Sequence, residues 1–306
     1  GRLTPTPMVE FEVPEIDYDR YSNRQLATPP LIVLGVSLLL ISVYYFLNGT
    51  PAPLGFDFTG GTEIRLADAS SRGAIRNAFG QGVGAEIESI RQTGSGDYIV
   101  TFLTQNTGEL QAIRDAAGAA GFDIQAETTR SPAFGSTNTQ NALFGLVIAF
   151  VGMSALIFVL FRSFVPSIAV VISAFSDIMI PIGIVNFLAL TGLIEIKMTL
   201  GTVAALLMLI GYSVDSDILL NNHILRRRGS FYESTYRAMR TGVTMTVTSI
   251  VAMITMTVVS SEWIFAIDLL PDIGLILVLG LTADLMNTYM LNLSLLRWYK
   301  FEGVAR

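Results

Sequence analysis

Four aspartates, Asp177, Asp215, Asp217 and Asp284, stand inside stretches of sequence that are otherwise apolar and uncharged. An ionised carboxylate at mid-bilayer costs about 2.5 to 3.5 kcal/mol on insertion scales, so each needs a polar interior, a partner or a proton to offset that cost. What such groups can do is take up and release a proton or a small ion. Most other chemistry lacks its parts. The chain has no cysteine and one histidine, His223, which excludes disulfides, thiolate metal sites, cysteine nucleophiles and histidine triads, and no metal or other cofactor is expected. His223 lies beside Arg226, Arg227 and Arg228 and reads as an ordinary interfacial residue. Asp215 and Asp284 could meet across helices as a protease pair, but neither sits in a Tyr-Asp or Gly-x-Gly-Asp context, and no enzymatic activity is expected.

Spacing ranks these acids. Asp215 and Asp217 are two residues apart, about 200° around a helix, so they face different neighbours and one is expected to work while the other supports it. Asp215 is the leading candidate: Gly211, Asp215, Leu219 and Asn222 fall at i, i+4, i+8 and i+11 on one face. Gly280, Asp284, Asn287 and Thr288 share a face in the same way. Thr241, Thr244, Thr248 and Thr255 add a hydroxyl stripe, and Arg240 stands one turn before it. Polar stripes on three helices aimed at one interior would make an ion or proton path. Threonine stripes are also made for helix packing or for bonding the preceding turn, and Asp177 could pair with a neighbouring helix as structural glue.

The elements that must hold these groups follow from composition. Only 14% of the 306 residues are charged, against roughly 25% in soluble domains, and 51% are hydrophobic, which excludes most soluble folds. Six apolar segments are long enough to cross about 30 Å of hydrocarbon: 30–47 first, then 141–161, 165–190, 198–222, 241–260 and 273–296 in a bundle spanning 139–297. The flanking pieces are an N-terminal segment, 1–29, and a tail, 298–306. Twelve of the 19 arginines and lysines fall in the loops and tails of one side, against Lys197 alone in the short loops of the other, so both termini are expected in the cytoplasm and membrane lipids around the rest. Nucleic acid is not an expected partner.

The polar block 48–138 is then exterior. Its periodicity predicts strands over Phe56–Leu66, Ala85–Arg91, Tyr98–Leu103 and Phe122–Thr129, and helices over Ser71–Gly80 and Gly108–Ala120. That β-α-β-β-α-β order is a ferredoxin-like α+β domain. Pro- and Gly-rich stretches at Gly49–Gly55 and Ser131–Ser136 are the candidate hinges.

Motifs along the chain carry a resemblance. Gly55-Phe56-Asp57-Phe58-Thr59-Gly60-Gly61-Thr62, Phe175-Ser176-Asp177, Thr199-Leu200-Gly201-Thr202 and Gly211-Tyr212-Ser213-Val214-Asp215 together resemble the SecF family of protein-export membrane proteins, over nearly the whole length. With no second six-span half, the chain is similar to stand-alone, archaeal-type members. The resemblance implies an RND-like half of six membrane helices and a plasma-membrane location. It also implies a non-enzymatic accessory subunit that partners SecD and the SecY channel and helps exported polypeptides through, driven by protons at a fourth-span acid, here Asp215. Where bacterial members read Leu-Asn-Asp, this chain has Val214-Asp215-Ser216, and where they carry a fifth-span arginine it has Thr244. Two alternatives are a stabilising subunit that carries no protons and an RND-type small-molecule exporter.

Overall fold

The computed structural model describes residues 18–302 except 81–82, 94, 194–195, 227–229, 262–263, 266 and 268. The expected N-terminal segment before 18, Arg227 and Arg228, and the tail beyond 302 lie outside the described residues. Six helices are long and apolar enough to span a membrane: α1 (Asn23–Asn48), α5 (Pro132–Phe161), α6 (Phe164–Thr191), α7 (Leu200–Arg226), α8 (Phe231–Val259) and a last span, Leu270–Phe301. Between α1 and α5 come α2 (Phe56–Thr59), β1 (Gly61–Ala67), α3 (Arg72–Gly80), β2 (Ile87–Gln92), β3 (Tyr98–Phe102), α4 (Thr107–Ala120) and β4 (Asp123–Arg130).

Local chemistry starts and stops these helices. Ser22 caps α1 in a reciprocal box with Gln25, and Gly49 closes it at φ +74°. Ser131 caps α5 with Pro132 in the first turn, and Ser230 caps α8. The last span is not uniform: α9 (Leu270–Met286) loosens into a π-helical stretch, Asn287–Asn292, before α10 (Leu293–Arg297). Such bulges frequently mark functional sites.

The spans form two layers. Windows of α6, α7 and the last span are 61%, 56% and 56% buried, whereas those of α1, α5 and α8 are 6–11% buried, so the aspartate-bearing helices are the inner ones. Close approach fixes one crossing. A Cβ at Gly183 of α6 would come within 2.5 Å of Ser37 Cβ on α1, so only glycine permits that contact.

Outside the bundle, the four strands form one antiparallel sheet in the order β2-β3-β1-β4. Ile64, Leu66, Val100 and Phe102 of its central strands bury one face against Ile75 and Phe79 of α3 and Ile113 and Ala117 of α4.

Two expectations are corrected here. Phe56–Thr59 is a helical turn rather than the start of a strand, because Gly60 (φ +72°) and Gly61 (φ +127°) adopt backbone conformations that interrupt an extended run, and β1 begins only at Gly61. Ser131–Ser136 is no loose hinge, being the cap and first turn of the 30-residue α5. Gly49–Gly55 is tied down as well: Asn186 Nδ2 donates to Pro51 O (2.9 Å), Met198 N to Pro53 O (2.7 Å) and Gly55 N to Met198 O (2.8 Å).

Candidate functional site

The inner faces of α6, α7 and the last span each present polar residues at steps of four. These are Ser173 and Asp177; Ser213, Asp217 and Asn221; and Asp284, Thr288 and Asn292, all at most 2% exposed. Steps of three and four stack side chains on one helical face, so each set forms a ladder.

Hydrogen bonds join the ladders. Asp177 accepts from Ser213 Oγ (2.6 Å) and from Asn287 Nδ2 (2.5 Å). Asp284 Oδ1 accepts from Ser216 Oγ (2.7 Å) and Thr288 Oγ1 (3.2 Å). Thr288 Oγ1 also lies 2.9 Å from Asp217 Oδ1, which accepts from Asn292 Nδ2 (2.8 Å); Asn292 in turn reaches Asn221 Oδ1 (3.2 Å). The π-helical stretch makes this possible by presenting Asn287, Thr288 and Asn292 together within a turn and a half.

Several polar atoms are left over on both sides. Asp217 Oδ2, Asp284 Oδ2, Asn287 Oδ1 and Asn292 Oδ1, and the hydroxyls of Ser173 and Ser176 on α6, are buried without a hydrogen-bond partner among the described residues. None of the three carboxylates forms an ion pair there either. No three acidic or histidine side chains converge as a metal-ligand set among the described residues.

Asp215 stands apart from this cluster. The face expected to look inward, with Gly211, Asp215, Leu219 and Asn222, is the outer face of α7: Gly211 and Asp215 are exposed, Leu219 and Asn222 half-buried. A reversal of about 200° follows from Asp217 taking the inner position. The expected supports separate in the same way. Asn287 joins the cluster, whereas Arg240, Thr244 and Thr248 are exposed on α8. Thr244 and Thr248 donate to the carbonyls of Arg240 and Thr244 one turn back, each at 2.7 Å, so these hydroxyls satisfy their own helix. Tyr212 is half-buried and accepts from Ser249 of α8 (3.4 Å). His223 is buried, with Nδ1 2.8 Å from Leu219 O. Ser216, Asn221 and Asn292 were missed; the signal for Asn221 and Asn292 is the spacing of four that runs through the ladders, whereas Ser216 stands three residues after Ser213 and off that spacing.

The motif around Asp57 has a different place. One carboxylate oxygen accepts the backbone N–H of Leu200 (3.1 Å), capping the exterior end of α7, and the other pairs with Arg130 at the end of β4. Phe56 lies under the Arg130 guanidinium, 4.9 Å from centroid to carbon, and Asn138 Nδ2 donates to Asp57 O (3.2 Å). Glycine is required where the chains cross, since a Cβ at Gly135 would lie 2.4 Å from Phe58 O and one at Gly61 2.5 Å from Phe102 O. The exterior domain, α5 and α7 therefore meet at one joint, and α7 carries Asp217 at its other half.

Comparison with known proteins agrees with this architecture. The sequence model of the protein export membrane protein SecD/SecF C-terminal family matches residues 112–302. Protein-export membrane protein SecF from Haloferax volcanii is 57% identical over 98% of this chain and 100% of the relative, and that from Pyrococcus furiosus 34% identical over 92% and 93%. Among solved structures, SecDF from Thermus thermophilus, described as a translocon-associated membrane protein, matches with a TM-score of 0.68 at 18% identity. That match covers 94% of this chain and 39% of SecDF, which shows the fold. Six spans around an acidic interior, the exterior sheet domain tied to the fourth span, and relatives of this similarity lead to one conclusion: the chain belongs to the SecF family of protein-export membrane proteins.

Proposed function

We propose that the chain works as a SecD-partnered export subunit beside the SecY channel, with both termini cytoplasmic, and that proton passage through the Asp177, Asp217 and Asp284 cluster drives a late step of polypeptide translocation. One observation carries this reading: the buried Asp217 and Asp284 share the Thr288 hydroxyl, the buried Asp177 accepts from Ser213 and Asn287 on the same two helices, and two of the carboxylate oxygens have no hydrogen-bond partner among the described residues. The Oδ1 atoms of Asp217 and Asp284 both contact the Thr288 hydroxyl, so they are no more than about 6 Å apart. Two negative charges at that distance repel by about 3 kcal/mol at an effective dielectric near 20, so loading and unloading a proton changes the helix contacts appreciably. One elementary charge moved through 100 mV supplies about 2.3 kcal/mol, enough to shift a balanced two-state equilibrium about fiftyfold. Transmission runs along α7 to Asp57 and Arg130, and so to the exterior domain.

On this reading Asp215 has a docking role. With Thr244 and Thr248 it makes a polar outer face on the neighbouring helices α7 and α8, which suits a helix of SecD better than lipid. Support for the pairing comes from the SecF relatives and the likeness to SecDF. A second reading, a stabilising subunit that carries no protons, is favoured by Thr244 standing where bacterial relatives place an arginine.

Export of a secreted reporter, with and without a proton gradient, separates them. Asp217→Asn is expected to remove at least about tenfold of the gradient-dependent rate, about 1.4 kcal/mol in barrier, with SecD still co-purifying. Asp215→Asn is expected to reduce recovery of SecD. Undiminished gradient-dependent export in Asp217→Asn would favour the stabilising role.

A further inference from the structure

Asn221 and Asn292 form the last rung of the hydrogen-bonded cluster on the side away from the sheet domain. Beyond them the interior turns apolar. Leu26 of α1, Ile224 of α7, Met239 of α8 and Leu293 and Leu296 of α10 pack together there, each at most 5% exposed. Ser294, His223 and Thr235, buried toward the same end, are bonded to carbonyls of their own helices and supply no polar way through. An apolar constriction of this kind excludes water, and with it protons.

A single ring seals it. Tyr18, on the three-residue 3-10 turn Tyr18–Arg20 that precedes α1, is 2% exposed. Its hydroxyl donates to Met239 Sδ (3.5 Å), and its ring centroid lies 6.2 Å from that of Tyr236. Arg297, the last residue of α10, holds the turn in place: its Nη1 donates to Tyr18 O (2.9 Å) and to Tyr21 O (2.8 Å). Charged donors make the stronger hydrogen bonds, so this tie is a firm one. The five-residue α10 that Arg297 closes starts next to Asn292, which donates to Asp217. A change in the Asn292–Asp217 bond therefore reaches the tie along one short helix.

The opposite side of the cluster is closed differently. Leu206, Leu209, Ile210, Ile276 and Leu277 fill it from within the continuous helices α7 and α9, so opening there means displacing whole spans. A three-residue turn moves at far smaller cost. We propose that the Tyr18 turn is a removable stopper with Arg297 as its catch, admitting protons to the acid cluster when released and occluding the cluster when seated. The inference deepens the proton-driven reading and rests on it.

The chain has no native cysteine, so one introduced thiol reports on the constriction. In the full chain co-purified with SecD, Ile224→Cys is expected to react slowly with a charged, membrane-impermeant methanethiosulfonate. Adding Arg297→Gln, or Tyr18→Ala, which removes the ring and leaves the catch, should speed the reaction severalfold, whereas Arg297→Lys should stay near the parent rate. Unchanged reactivity in either of the first two, or an equal rise in Arg297→Lys, would overturn the proposal. In proteoliposomes, Arg297→Gln should raise gradient-driven proton entry severalfold, and adding Asp217→Asn should abolish that entry. Entry that survives in the double variant is a leak around the cluster and would contradict a stopper, as would an unraised rate in Arg297→Gln. The thiol readout needs no gradient, so it tells a failed stopper from a failed proton-driven reading.

Discussion

A carboxylate on the inner face of α7 is answered by side chains, and one on the outer face by whatever surrounds the bundle. Asp217 shows what the inner position demands: Thr288 and Asn292 both donate to its Oδ1, and neither donor has water to fall back on. Asp217→Leu removes that acceptor, leaving Thr288 with Asp284 and Asn292 with Asn221, each at 3.2 Å, and is expected to cost about 1–3 kcal/mol in all, whereas Asp217→Asn keeps an amide oxygen there and should cost about 1 kcal/mol or less. Thermal unfolding of the two variants in one detergent checks the order. The half-turn offset between Asp215 and Asp217 was readable in the sequence, but its direction was not, because apolar residues flank both faces. The deciding pattern was nonetheless present. Ser213, Asp217 and Asn221 repeat the spacing of Asp284, Thr288 and Asn292, and matching those two ladders would have placed Asp217 inside.

Elements transmit what residues hold. Asp57 caps α7 and holds Arg130, so Asp57→Ala is expected to cost about 1–2 kcal/mol for the lost cap alone and to loosen the exterior domain from the bundle. Faster proteolysis between 49 and 61 in that variant, with the six spans intact, would register it. Within the sheet domain the β2-β3 turn carries a pH-sensitive tie. The Ser95 hydroxyl, and then the Arg65 guanidinium, hold the Asp97 carboxyl below its ordinary range. A carboxyl depressed in the folded state adds stability above its unfolded value, about 3.9, and loses it as pH falls through the folded value. The stability difference between wild type and Asp97→Asn should therefore be present at neutral pH and vanish on acidification below that range, as followed by urea titration. The ferredoxin-like order was legible from periodicity, and the helix expected over Gly108–Ala120 falls within α4. Phe56–Thr59 was not, since Phe56 and Phe58 imitate the alternation of a strand, and the π-helical stretch leaves no mark in hydropathy.

At the scale of the whole molecule, three inner helices keep Asp177, Asp217 and Asp284 from lipid while three outer helices meet it, and the exterior domain is bound to the inner layer at Asp57 with Leu200 and at Glu88 with Lys197. Six spans and an exterior block could be counted from composition. The two layers could not, because every span is apolar and only packing tells an inward stripe from an outward one. Proton flux is the most direct test of the central claim, that the Asp177, Asp217 and Asp284 cluster is the loading site. In proteoliposomes containing the chain with SecD and a pH-sensitive dye inside, an imposed gradient should drive proton entry that Asp217→Asn abolishes. Entry at the wild-type rate in Asp217→Asn would contradict the account.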